Sequence, residues 1–256
     1  MSNTLSHPKL EVIDIQMFRP WRWLGLAWQD FKRSPAAGVA HGLILAVVSG
    51  GLFWLARDDF SWIAAMLSVS MIIAPLLACG LYDISRRIEN LRSGMYNSVF
   101  SMSGRWSNIG TFAVVLAVIM MIWARASLVI FALFYNKGMP TMEGFLAKLF
   151  SLDNAEFLFV YLCVGFIFAS LVFAISWVSI PMMLDRDTDA ITSMIISIVA
   201  LTVNIPLTMI WGLVIVASVV FGFMTWNIGF MITMPIIGHA TWHAYRDVVG
   251  PSDHRH

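Results

Sequence analysis

The chain has 256 residues, 59% of them hydrophobic and only 12% charged. A soluble domain carries about a quarter charged residues, so these proportions, with a mean hydropathy of +0.78, indicate a chain embedded in a membrane. The net charge of +1 leaves no basic excess to suggest nucleic acid. Cys79 and Cys163 both sit inside apolar runs, which reads as free thiols in place of a disulfide framework.

The opening residues, MSNTLSHPKLEVIDIQMFRP, lack the continuous apolar core of a signal peptide, so residues 1–20 are expected to form a cytoplasmic tail. After them Trp21, Leu24, Trp28 and Phe31 recur at helical spacing, with Arg22, Gln29, Asp30 and Lys32 between them. That pattern predicts an amphipathic helix lying in the membrane interface. Gly38–Ala56 is the first run long enough to cross a bilayer, and Phe60–Leu81 follows after the charged turn RDD. A second amphipathic stretch (Met95, Val99, Met102, Trp106) leads into a third span, Asn108–Tyr135, interrupted only by Arg125. Phe157–Leu184 is the fourth span. A third interfacial stretch then carries Ile191, Ile195, Ile198 and Leu201 on one stripe, with Ser193 and Ser197 off it. The last apolar run, Pro206–Gly238, would measure about 50 Å as one helix, too long for one upright crossing. The segment FMTWNIG in its interior predicts a tight hairpin and hence two spans.

The expected fold is therefore all-α: a polytopic membrane protein of six spans forming one domain over residues 21–250, with a second short tail at 251–256. Six spans place both termini on one side. That side receives twelve basic residues, Lys9, Arg19, Arg22, Lys32, Arg33, Arg86, Arg87, Arg92, Arg105, Arg186, Arg246 and Arg255; the other receives Arg57, Lys137 and Lys148. Basic residues accumulate on the cytoplasmic side, so both termini are expected there, with the loop from Asn136 to Glu156 outside.

The returning spans share an exit signal. PLLACGLYD, PMMLDRDTD and PIIGHATWH each begin with a proline, which suggests three repeated units of interfacial helix plus hairpin, at about 21–87, 95–187 and 188–247. Aligning the prolines brings Cys79, Asp185 and His239 to one position, and Asp83, Asp189 and His243 to another four residues on. His41, just inside the first span, falls at the same depth. All are metal-ligand types, and a threefold bundle could gather them at its cytoplasmic mouth.

The pair His239 and His243 has the spacing at which one helix offers two imidazoles to a metal. HATWH lacks the Glu of the H-E-x-x-H motif, however, and the bland reading is an interfacial anchor with Trp242, Tyr245 and Arg246. DRDTD resembles the start of a calcium loop, but Ala190 stands at the glycine position and Ile196 at that of the bidentate Glu. Asp189 is better read as the cap of a helix beginning at Ala190. Arg125 either snorkels, pairs with an acid such as Asp58, Asp59 or Glu156, or joins Asn204 and Asn227 in a polar path. No phosphate loop, nucleophile elbow or paired catalytic acid is present, so no enzyme is expected.

At RWLGLAWQDFKRSP, SIPMMLDRDTDAITSMIISIVALTVNIPLTMIWG and GHATWHAYRDVV the chain resembles a predicted integral-membrane family of unknown function common in proteobacteria, over roughly Trp21 to Val249. The resemblance implies a bacterial inner-membrane location and assigns no activity. Members of that family sometimes carry labels linking them to cytochrome c oxidase subunit I. His41, His239 and His243 sit at one membrane edge and do not fit the mid-membrane ligands of that subunit. The leading expectation is a membrane scaffold or assembly component whose partners are the lipid bilayer and another membrane complex. A small-solute transporter or channel using Arg125 is one alternative. A metal or haem protein using His41, His239 and His243 is the other, although no cofactor is the primary expectation.

Overall fold

A computed structural model describes residues 12–56, 77–90, 106–134, 155–186 and 188–250. Among these the regular structure is entirely helical. The helices are α1 (Arg19–Arg33), α2 (Pro35–Ala56), α3 (residues 77–89), α4 (Trp106–Phe134), α5 (Ala155–Ser176), α6 (Ser179–Asp185), α7 (Ala190–Val203), α8 (Ile205–Met224) and α9 (Phe230–Val249). The second interfacial stretch and most of the second expected span, Phe60–Leu81, lie outside the described residues.

Among the described residues, four helical stretches are long and apolar enough to cross a membrane: Pro35–Leu52, Ser107–Phe134, Ala155–Asp185 and Ile205–Met224. Their ends fall close to the sequence expectations because prolines and charges bound the apolar runs. Between α5 and α6 the helix breaks at Trp177 and Val178. Pro181 explains the break: its ring crowds the carbonyl four residues earlier, at Trp177, and it has no N–H to bond that carbonyl.

The expected hairpin falls at Thr225–Gly229, where Trp226 and Asn227 both adopt the left-handed conformation (φ 55° and 68°). Thr225 closes the turn, its hydroxyl donating to the Phe221 carbonyl at 2.8 Å and accepting from the Gly229 N–H at 2.9 Å. Trp23 then shows that α8 and α9 run antiparallel. Its ring stands edge-on to Trp211 near the start of α8, at 5.5 Å, and its indole N–H donates to Asp247 near the end of α9, at 2.8 Å.

Helix α9 is the axis of the assembly. Gly238 to Trp242 are all buried, so a full turn of this helix meets only protein. Neighbours cover it on successive sides. Gly42 of α2 lies against the backbone of Phe230 and Met231, Gly238 lies against Leu81 of α3, and Asp185 of α6 reaches Tyr245. A Cβ at Gly42 or Gly238 would collide with these partners, so the missing side chain is what allows the close approach. This surrounding explains why α9 is less apolar than the four spans. Its polar side chains are shielded by other helices and solvated by their polar groups.

Helix α4 packs Ile109, Phe112, Leu116, Met120, Trp123 and Ser127 inward, at spacings of three or four residues. Ser127 donates to the Tyr161 hydroxyl at 3.0 Å, and Trp123 meets the Tyr161 ring at 5.5 Å, seating α4 on α5. Arg125 falls on the opposite, exposed face among Val118, Met121, Ile122 and Val129.

Candidate functional site

The polar residues of α1, α3 and α9 meet in a buried cluster at the end of the bundle opposite the Thr225–Gly229 turn. Asp30 comes from the inward face of α1, which it shares with Pro20, Trp23 and Ala27. Its Oδ2 accepts from the Ser85 hydroxyl of α3 at 2.8 Å and from Nε2 of His243 at 2.9 Å. Burial works against the charge on Asp30. The hydrogen bonds from His243 and Ser85, with the charge of His243, outweigh it and hold the carboxyl below its ordinary range.

The serine also settles the tautomer of the second histidine. Ser85 has one hydroxyl proton, and Asp30 takes it. The 2.7 Å contact between Ser85 Oγ and His239 Nδ1 must therefore carry the proton of the imidazole. His239 Nε2 is left as a bare lone pair, buried and with no hydrogen-bond partner among the described residues. His41 is held the same way round: Nδ1 donates to the Ala37 carbonyl one turn earlier at 2.8 Å, and Nε2 lies against Gly80 of α3. In both imidazoles Nδ1 is thus the donating nitrogen, which leaves Nε2 as the atom a metal would take.

Of the other residues singled out, Asp83 and Asp185 belong to ionic networks. Asp83 is buried and binds Arg86 and Arg87 of its own helix, while Arg86 also donates to the Leu184 carbonyl of α6. Asp185 accepts from the Tyr245 hydroxyl at 2.7 Å and from Arg246 at 3.3 Å, and Arg246 continues to Glu89 at 2.9 Å. Asp189 is exposed and caps α7 by accepting from the Thr192 N–H at 2.9 Å; hydrogen bonds from Thr192 lower its pKa. Cys79 is buried on α3. Among the described residues, no three His, Cys, Asp or Glu side chains converge closely enough to hold a metal ion.

Asn204 and Asn227 lie at opposite ends of α8. Asn204 pins the N-terminal segment, accepting from the Ile15 N–H at 2.8 Å and donating to the Ile13 carbonyl at 3.1 Å. Asn227 accepts from Ser49 at 3.0 Å in the turn. Arg125 meets neither of them.

Asp30 and Ser85, which join the histidines, were not singled out by sequence. Asp30 carried one legible signal: it shares a stripe with Trp23 and Ala27, a second apolar face of α1 besides the one through Trp21 and Trp28. Ser85 carried none, since its role depends on partners 55 and 154 residues away.

These features define an integral membrane protein with several apolar helices. Residues 63–185 match the profile of a family described as a predicted integral membrane protein (DUF2189), to which this stretch is similar. No curated protein and no solved structure matches the chain.

Proposed function

We propose that the chain is a non-catalytic scaffold or assembly component of a bacterial inner membrane. It would cross the membrane six times, with Phe60–Leu81 and α9 completing the four apolar spans and the charged end facing the cytoplasm. The observation that carries the scaffold reading is the placement of Arg125. Helix α4 is about 43 Å long at 1.5 Å per residue, and Arg125 stands about 14 Å from its end, on the outward apolar face. A guanidinium at that depth is costly unless a carboxylate or a phosphate reaches it. A neighbouring membrane protein offering an acid to this face satisfies the charge and buries the surrounding Val118, Met121, Ile122 and Val129.

The test is photocrosslinking in native membranes from Ile122 and Val129, with Phe166 on the outward face of α5 as a comparison site. The expected result is a discrete protein adduct from both α4 positions that is lost in Arg125→Gln. Adducts to lipid alone would refute the scaffold reading and indicate an arginine that snorkels to phosphate.

One observation favours a second reading. The unpartnered Nε2 of buried His239, with His41 in the same tautomer, supports the metal or haem alternative. Metal analysis and a visible spectrum of protein purified without chelators decide it. Stoichiometric metal or a haem band that is lost in His239→Ala would support this reading, and absence of both would end it.

A further inference from the structure

Apart from Arg125 on the outward face of α4, the basic side chains of the described residues fall into two groups. Arg19, Arg86, Arg87, Arg186 and Arg246 are all engaged by carboxylates, by Tyr245 or by carbonyls. Arg22, Lys32 and Arg33 are exposed and have no carboxylate partner; all three belong to α1.

Helical geometry gathers them on one side. At 100° per residue, the buried stripe of Pro20, Trp23, Ala27 and Asp30 occupies one side of α1. Passing round the helix, Trp28 and Trp21 come next, then Lys32, Phe18 and finally Arg22 and Arg33. Phe18, Trp21 and Trp28 are 68%, 61% and 48% exposed. The Lys32 ammonium lies over the Trp28 ring, 5.9 Å from its centre. The outer surface of α1 is therefore an aromatic strip bordered by cations.

The position of this surface along the membrane is set by the next helix. Only Ser34 separates α1 from the span α2, and Phe31 packs against Gly38 across the junction. Lys32 and Arg33 thus stand where a span begins, at headgroup level. Trp23, Asp30 and the Arg19–Asp247 pair at 3.5 Å fasten the inner face, so the outer face is held in a fixed attitude to the bilayer.

We propose that the outer face of α1 is a binding surface for anionic phospholipids, in which Arg22 at one end and Lys32 and Arg33 at the other engage separate headgroup phosphates and Trp21 and Trp28 seat against the acyl boundary. Cations alone would suit any phosphate. The adjoining aromatic strip selects an amphiphile, because tryptophan favours the zone between headgroup and hydrocarbon. Asp14 is exposed on the segment before α1 but precedes the aromatic strip, and Asp247 is occupied by Trp23 and Arg19.

The experiment is native mass spectrometry of the full chain released from mixed micelles of phosphatidylglycerol and phosphatidylcholine. The wild type should retain phosphatidylglycerol selectively. Each juxtamembrane cation is worth about a fivefold change in affinity for an anionic surface, so Arg22→Gln with Arg33→Gln should remove most of the preference. Arg22→Lys with Arg33→Lys should keep it, raised salt should weaken it, and inorganic phosphate at equal concentration should not compete. Unchanged preference in the Gln pair would overturn the proposal, as would equal loss in the Lys pair or full competition by phosphate. The result is independent of the crosslinking outcome at Arg125.

Discussion

Helices α1 and α7 were expected from sequence to be equivalent, each an amphipathic stretch leading into a span, yet they are built on opposite principles. The inward face of α1 carries large and charged groups: Trp23 against Trp211, and Asp30 bonded to Ser85 and His243. The inward face of α7 is made mostly of small residues, with Ala190, Ser193, Ser197 and Ala200 buried beside Met194 and with Ile191, Ile195 and Ile198 outward. Ser179 donates to the Ser193 carbonyl at 3.0 Å, and the Val178 N–H donates to Ser197 Oγ at 3.4 Å. Helix α7 thus satisfies the backbone freed at the break between α5 and α6. Helix α1 supplies a buried charge to α9. In both helices the conspicuous apolar stripe points outward, as expected where lipid is the solvent and close helix contact favours small or hydrogen-bonding groups.

The sharpest way to break this contrast is to remove the charge. Asp30→Ala leaves two donors, buried Ser85 and half-buried His243, without their acceptor. The expected cost is roughly 3 kcal/mol, read as a lower midpoint in detergent-based unfolding. Asp30→Asn, which keeps an acceptor oxygen, should lose less. Because the Asp30 carboxyl is held below its ordinary value, its contribution is present above the normal carboxylate range. It should be lost only as pH falls through the lowered value, so α1 should stay docked down to the bottom of that range.

A smaller effect is expected where α7 meets the broken helix. Ser197→Leu forces a large side chain into a seam built for a hydroxyl and removes the bond to Val178; about 1–3 kcal/mol is expected in the same unfolding assay. Smallest of all, Ile195→Ala on the outward stripe should change stability by less than about 0.5 kcal/mol, since lipid replaces the lost contact. A large effect at Ile195 together with none at Ser197 would reverse the assignment of faces on α7.

Much of the local structure was legible because it depends on neighbours in sequence. The start of α7 follows from Asp189 as cap and the end of α8 from FMTWNIG, whereas the interruption before Pro181 was missed, because Phe157–Leu184 was expected as one continuous span. The cluster around Asp30 was only half legible. His239 and His243 stand out at one-turn spacing, but the partner of His243 lies 213 residues away. Periodicity also marks a helix as two-sided without saying which side faces in. For α1 that ambiguity concealed Asp30, read as a polar residue between apolar ones.

Composition and periodicity alone determined that this chain is a helical membrane protein and where its apolar helices begin and end. These properties follow from the hydrocarbon thickness of a bilayer and from the backbone's need to satisfy its own hydrogen bonds there. Only the tertiary structure decided that α9 is the axis, that Arg125 faces outward, and that Ser85 fixes the tautomer of His239. Each of these depends on which helix lies beside which, and in what register, and that is set by contacts such as Gly42 on Met231 and Gly238 on Leu81.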